Sequence, residues 1–150
     1  MHVAERVVEM MRTAGGRTLT VLGWAYKGWP PTDDMRGSPI AAMMPVFTAA
    51  GIDVLGHDPL VTGDVIESYG AEPVGLRRGF RDADALLLVT DHPEYRGLDV
   101  GELLTGSRVR VVYDSWRILD GALIAGRGVR YAGLGYELAA MAAAKATVTP

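Results

Sequence analysis

The chain has no cysteine. Disulfides, thiolate metal sites and a thiol nucleophile are therefore excluded within it. Histidine occurs only at positions 2, 57 and 92, a spacing that matches no metal site, so no metal is expected. No apolar run approaches the roughly 20 residues that cross a bilayer, and no membrane is expected as a partner. No basic run occurs either. With 15 Lys and Arg against 18 Asp and Glu, the formal net charge of −3 argues against nucleic acid. Residues 1–14 are amphipathic, with Glu5, Arg6, Glu9 and Arg12 interspersed, rather than a secretory leader. A cytoplasmic location is expected.

What is present is an ordinary core composition. Of 150 residues, 49% are hydrophobic and 22% charged, enough for one well-buried domain. Val3, Val7, Val8, Met10 and Met11 form a helical stripe that ends at Gly15-Gly16. Apolar runs at 18–23, 52–56, 71–74, 85–89, 109–113 and 129–132 read as strands, and the helical segments 40–50, 62–69, 76–81, 98–104 and 118–125 separate them. Pro45 is placed to kink the helix at 40–50, and the Ala-rich stretch 137–146 reads as a final helix. Unbroken apolar strands alternating with helices predict an α/β fold, a mainly parallel open sheet with helices on both faces.

The most polar connector runs from Gly23 to Pro39. It carries Lys27, Thr32, Asp33, Asp34, Arg36 and Ser38 at the end of a predicted strand, where open parallel sheets bind ligands. Such connectors usually need two to six residues. Lys27 and Arg36 suit a pyrophosphate or carboxylate, and Ser38 suits a helix N-cap. The competing reading pairs Asp33, Asp34 and Arg36 with one another on the surface. Asp58 ends the second strand, where dinucleotide folds hold a ribose, but the first strand lacks G-x-G-x-x-G. Asp58 is therefore expected to shape a turn with Pro59. Asp91 and His92 are read as loop-bonding residues before acid–base groups. Trp116 has two open roles, stacking on a base or covering the sheet edge, and Arg117 is a candidate phosphate contact.

Five blocks in order carry a resemblance: Gly-Trp-Ala-Tyr-Lys at 23–27, Thr-Asp-Asp-Met-Arg-Gly-Ser-Pro at 32–39, Gly-Ile-Asp-Val-Leu-Gly-His-Asp-Pro at 51–59, Ala-Asp-Ala-Leu-Leu-Leu-Val-Thr-Asp-His at 83–92 and Val-Tyr-Asp-Ser-Trp-Arg-Ile-Leu-Asp at 112–120. Together they resemble the C-terminal, UDP-binding domain of the UDP-glucose/GDP-mannose dehydrogenase family, which includes UDP-N-acetylmannosamine dehydrogenases. The resemblance implies a Rossmann-like domain over residues 17–135, preceded by a stub of an inter-domain connecting helix (1–16) and followed by a C-terminal helix and tail (136–150). It implies a UDP-sugar as ligand, with Tyr26 and Lys27 contacting it. It implies that Arg36 reaches toward NAD, held mainly by an NAD-binding domain and a middle domain that lie in other parts of the enzyme or on a separate subunit. Trp116 stands where many members have a second substrate Arg, which leaves Arg117 to serve. Four residues, Gly28 to Pro31, stand between the Lys and the Thr where the family has two, which sets Trp29 at the rim.

The resemblance places the catalytic Cys, which forms a thioester during the two-step oxidation, in those other domains; with no Cys of its own, the chain is expected to be non-catalytic in isolation. The alternative is a scaffold or regulatory module that kept the fold and lost the ligand. A homodimer is also expected, through an uncovered apolar face of residues 3–11.

Overall fold

The computed structural model describes residues 2–138. Helix α1 spans His2–Ala14, and β1 spans Thr18–Leu22. The chain continues through α2 (Ile40–Ala49), β2 (Asp53–His57), α3 (Gly63–Ser68), β3 (Glu72–Pro73), α4 (Leu76–Arg81) and β4 (Ala85–Leu88). It closes with α5 (Pro93–Arg96), α6 (Val100–Leu104), β5 (Val111–Asp114), α7 (Gly121–Gly126), β6 (Arg130–Gly133) and β7 (Tyr136–Leu138).

The strands form one sheet in the order β3-β2-β1-β4-β5-β6-β7. All neighbours are parallel except β6 and β7. The chain moves outward from β1 through β2 to β3, then returns to pair β4 on the other side of β1. The connections therefore reverse direction between β1 and β4, which opens a crevice at their carboxyl ends.

Alternation along each strand sends apolar side chains to both faces, because both are covered. Leu19, Val21, Leu87, Val111 and Tyr113 face a layer built from α1, α2 and α3. Leu86, Leu88 and Val112 face Phe80 of α4, Tyr95 of α5, Leu104 of α6 and Ile124 of α7. The result is the three-layer α/β architecture that the sequence predicts. Pro45 leaves α2 in one piece: it and Ala41, whose carbonyl loses its partner, are both exposed to water.

Two expectations are corrected. Residues 3–11 do not present an uncovered apolar face. Ala4, Val7, Met10 and Met11 are at most 1% exposed, because α1 lies against α2 and β5 and completes the first helical layer. The argument for self-association through that face falls with it. The second correction concerns the C-terminal segment. Residues 136–138 form an edge strand rather than the start of a helix. Tyr136 packs edge-on against Tyr131, and Glu137 pairs with Arg6 at 2.6 Å and Arg130 at 2.7 Å. These contacts outweigh helix propensity. The rest of the expected helix, residues 139–146, lies outside the described residues.

Candidate functional site

The connector from Gly23 to Pro39 is held at both ends. Trp24 is completely buried, and its indole Nε1–H donates to the Val21 carbonyl at 3.1 Å. The Ser38 hydroxyl donates to the Trp24 carbonyl at 2.6 Å and accepts from the Ile40 N–H at 3.3 Å. One step further out, the Tyr26 N–H donates to the Asp34 carbonyl at 2.9 Å. The segment is thus a closed loop of the Ω type, with residues 27–33 at its tip.

Asp58, at the end of β2, fixes the base of this loop. Its Oδ2 accepts from the N–H groups of Trp24 and Ala25 at 2.7 and 3.2 Å. Its Oδ1 accepts from Leu60 and Val61 at 2.8 and 2.9 Å. Asp58 does shape a turn, and it also clamps the neighbouring loop. With both oxygens engaged twice by backbone, it is no ribose ligand.

The loop also leans across the switch point. Gly23 has φ of +91°, and a Cβ there would overlap the Thr90 side chain. A Cβ on Gly28 would come within 2.4 Å of the His92 backbone nitrogen. The β1 and β4 loops therefore touch over the crevice, and only glycine permits that approach. His92 caps α5 by accepting from the Glu94 N–H through Nδ1 at 3.1 Å, and Asp91 lies 3.6 Å from Arg96. His92 Nδ1 thus bonds the loop, as the reading preferred from sequence has it, whereas its buried Nε2 has no partner among the described residues and Asp91 is only within ion-pair reach of Arg96.

Tyr95 of α5 has no sequence signal beyond its being aromatic. It is fully buried under the crevice, and its hydroxyl donates to the His57 carbonyl at 3.1 Å. His57 Nδ1 lies 2.9 Å from the same hydroxyl. One hydroxyl proton cannot serve both contacts, so with that proton on the carbonyl the shorter contact requires the Nδ1–H tautomer of His57. Burial lowers the His57 pKa below 6.5, partly opposed by Asp58 and Glu94, and burial raises that of Tyr95.

The sequence-predicted site residues separate into two groups. Tyr26 and Lys27 lie together where the loop tip begins, the Lys27 ammonium 5.2 Å from the centre of the Tyr26 ring. Among the described residues Lys27 forms no ion pair. Arg36 is exposed and locked onto Asp34, with Nε–Oδ1 at 3.0 Å and Nη2–Oδ2 at 2.7 Å. That hydrogen bonding lowers the Asp34 carboxyl from 3.8 to about 2.

Trp116 and Arg117 follow β5 and part company. Trp116 Nε1–H donates to the Val89 carbonyl at 2.9 Å, on the β4 side. Arg117, at φ of +54°, lays its guanidinium 4.0 Å over the Tyr136 ring and donates to the Leu134 carbonyl at 3.3 Å, on the β6–β7 side. Asp114 sets this corner. It is fully buried and accepts from the Trp116 N–H, the Leu119 N–H and the Tyr131 hydroxyl at 3.0, 2.8 and 2.8 Å.

At the opposite edge of the sheet, a depression of about 820 Å³ is lined by charges that neutralise one another. There Arg78 meets Glu72 at 2.7 Å and Asp82 at 3.1 Å, and Arg17 lies 3.6 Å from Asp53. Uncommitted charge is found instead at the loop tip beside the crevice.

Residues 20–121 match the model of the UDP-glucose/GDP-mannose dehydrogenase family, UDP binding domain. The chain belongs to that family. Within this UDP-binding domain family, it is 32% identical over 138 residues to the UDP-glucose 6-dehydrogenase AglM of Haloferax volcanii, covering 89% of this chain and 29% of that protein. It is 28% identical over 121 residues to the UDP-glucose 6-dehydrogenase TuaD of Bacillus subtilis, covering 76% of this chain and 25% of that one. The chain thus spans less than a third of either relative. Among solved structures, the NDP-N-acetyl-D-galactosaminuronic acid dehydrogenase of Methanosarcina mazei superposes with a TM-score of 0.75 at 26% identity, over 91% of this chain and 29% of that one. The matched span of the UDP-binding domain takes in the whole Gly23–Pro39 loop and the Asp114–Arg117 corner. No helix among the described residues is long and apolar enough to cross a membrane.

Proposed function

We propose that this chain holds the UDP part of a nucleotide sugar for an NAD-dependent nucleotide-sugar 6-dehydrogenase. The carrying observation is Lys27, a cation unpaired among the described residues, on a loop pinned at both ends beside the switch point. Fixed placement lowers the ordering cost of binding, and an unpaired ammonium needs no internal partner displaced before it meets a phosphate. Tyr26 lines the same tip, and Trp116 borders the crevice from the β5 side.

Arg36 is the contact toward NAD, which other domains of the enzyme hold. Asp34 occupies its Nε and Nη2, and Nη1 remains to reach outward. The two-step oxidation that the resemblance implies runs through a catalytic Cys, and these 150 residues contain none, so the chain binds and orients substrate while other domains carry the chemistry. The corresponding setting is polysaccharide biosynthesis in the cytoplasm.

The test is titration calorimetry of the full chain with UDP. Lys27→Ala is expected to weaken binding by about tenfold or more, the scale of a charge-assisted hydrogen bond. Wild-type chain that binds no UDP at millimolar concentration would reject an autonomous site. It would favour the scaffold reading or a site completed by other domains.

A further inference from the structure

The corner after β5 places an uncharged aromatic face where a second cation is expected. We infer that Trp116 contacts the nucleotide sugar by stacking on one of its rings, and that Arg117 is a structural clasp that does not touch the ligand. This rests on the UDP-binding reading above.

Three observations carry it. The first is direction. Val89 follows β4, next to the crevice, whereas Leu134 and Tyr136 lie at the β6–β7 edge, two strands further away. The Trp116 indole is tied to the former and the Arg117 guanidinium to the latter.

The second is anchoring. The Trp116 backbone N–H is held by buried Asp114 and its Nε1–H by the Val89 carbonyl, yet the residue stays 52% exposed. Its polar atom is satisfied from within, so the exposed part is apolar ring surface. A fixed aromatic face of that kind stacks on a base or on the apolar side of a sugar ring, and it offers nothing to a phosphate.

The third is the strain and engagement of Arg117. A non-glycine residue at positive φ is costly, and this one is held by a cation–π contact and a carbonyl. Turning the guanidinium toward the crevice would forfeit both.

The consequence is a division of labour: Lys27 carries the ionic contact and Trp116 the ring contact. The ring is either the uracil, through its planar π face, or the hexose, through a C–H-lined face, and either offers an indole an apolar surface to pack on.

The test follows the Trp116 indole N–H by NMR in the full chain, assigned by its loss in Trp116→Phe. UDP is expected to shift it if the base stacks. UDP-glucose alone is expected to shift it if the hexose does. Inorganic pyrophosphate is expected to leave it in place while perturbing residues around Lys27.

In calorimetry, Trp116→Leu is expected to weaken the shifting ligand about five- to tenfold, the low end for base–aromatic stacking. Trp116→Phe should retain most of the affinity, and Arg117→Ala should leave it unchanged. An indole that is silent to UDP and UDP-glucose while calorimetry shows Lys27-dependent binding would overturn this inference alone. So would an equal response to pyrophosphate, or a loss of affinity in Arg117→Ala with the fold intact. A chain that binds neither nucleotide would reject an autonomous UDP site, and this inference with it.

Discussion

Asp58 Oδ2 accepts the backbone N–H of Trp24 at 2.7 Å, across the junction between the ends of β2 and β1. This bond joins two separate loops, because the same carboxylate also serves Ala25, Leu60 and Val61. Asp58→Ala would strand four backbone donors at once. The expected cost is about 2–3 kcal/mol, in the range of mutations that leave partly buried donors unpaired. Asp58→Asn keeps one acceptor oxygen and should fall between. Urea denaturation gives the stability, and hydrogen exchange at the Trp24 and Ala25 amides should accelerate more than at β4. A change confined to overall stability, with those amides no more mobile than the rest, would reject the clamp.

The carboxylate beside Arg36 yields a second test. Asp34 is held at about 2, below its ordinary 3.8, chiefly by the Arg36 side-chain hydrogen bonds. A depressed carboxyl pKa contributes above the unfolded value, and that contribution is lost as pH falls through about 2. The pair is solvent-exposed, so the readout is titration rather than stability. Carbon-detected NMR should place the Asp34 midpoint well below 3.8 in the wild type and return it toward 3.8 in Arg36→Ala. Equal midpoints in the two proteins would show that the pair does not persist in solution.

His57 couples the same region to pH in the neutral range. Its pKa lies below 6.5 because the imidazole is buried against Tyr95. The unfolded chain therefore takes up that proton first. Stability from this group is complete above about 6.5 and declines as pH falls toward the folded pKa. His57→Gln removes the titrating group. The variant should lose stability at pH 8 through the missing Tyr95 contact, yet show a shallower decline between pH 7 and pH 5. Parallel stability–pH curves for the two proteins would count against the assignment.

Much of the fold was legible because both sheet faces are covered. Continuous apolar runs such as residues 85–89 have few alternatives to a buried strand, and they predicted the parallel sheet. Strand ends were less legible. His57 and Asp114 extend the ladder past the last apolar residue, where hydropathy stops but hydrogen bonding does not. Propensity misled at Glu137, whose partners Arg6 and Arg130 are distant in sequence.

The loop was legible as a place, not as an arrangement. Trp24 sits in the motif that marks the ligand side, yet it is a core anchor. Asp34 and Arg36, four and two residues before Ser38, pair locally as the competing reading had it. Nothing in the order of Trp116 and Arg117 tells that adjacent side chains diverge. That depends on the positive φ of Arg117 and on Tyr136, which lies 19 positions on.

Helix α1 raises a question that amphipathicity cannot answer, since a stripe does not say what covers it. As a linker stub, its core-facing methionines would contribute little to the stability of the rest. In the structure Met10 is fully buried in the cluster that also holds Met11, Val111 and Tyr113. Met10→Ala should then cost about 2–4 kcal/mol, the range for large-to-small changes in a packed core. Thermal melts should report that loss as a single shifted transition, because α1 and the sheet share one core. A melting temperature within a degree of wild type would return α1 to the status of an appendage. A loss of cooperativity without a shift would show that α1 docks and releases on its own.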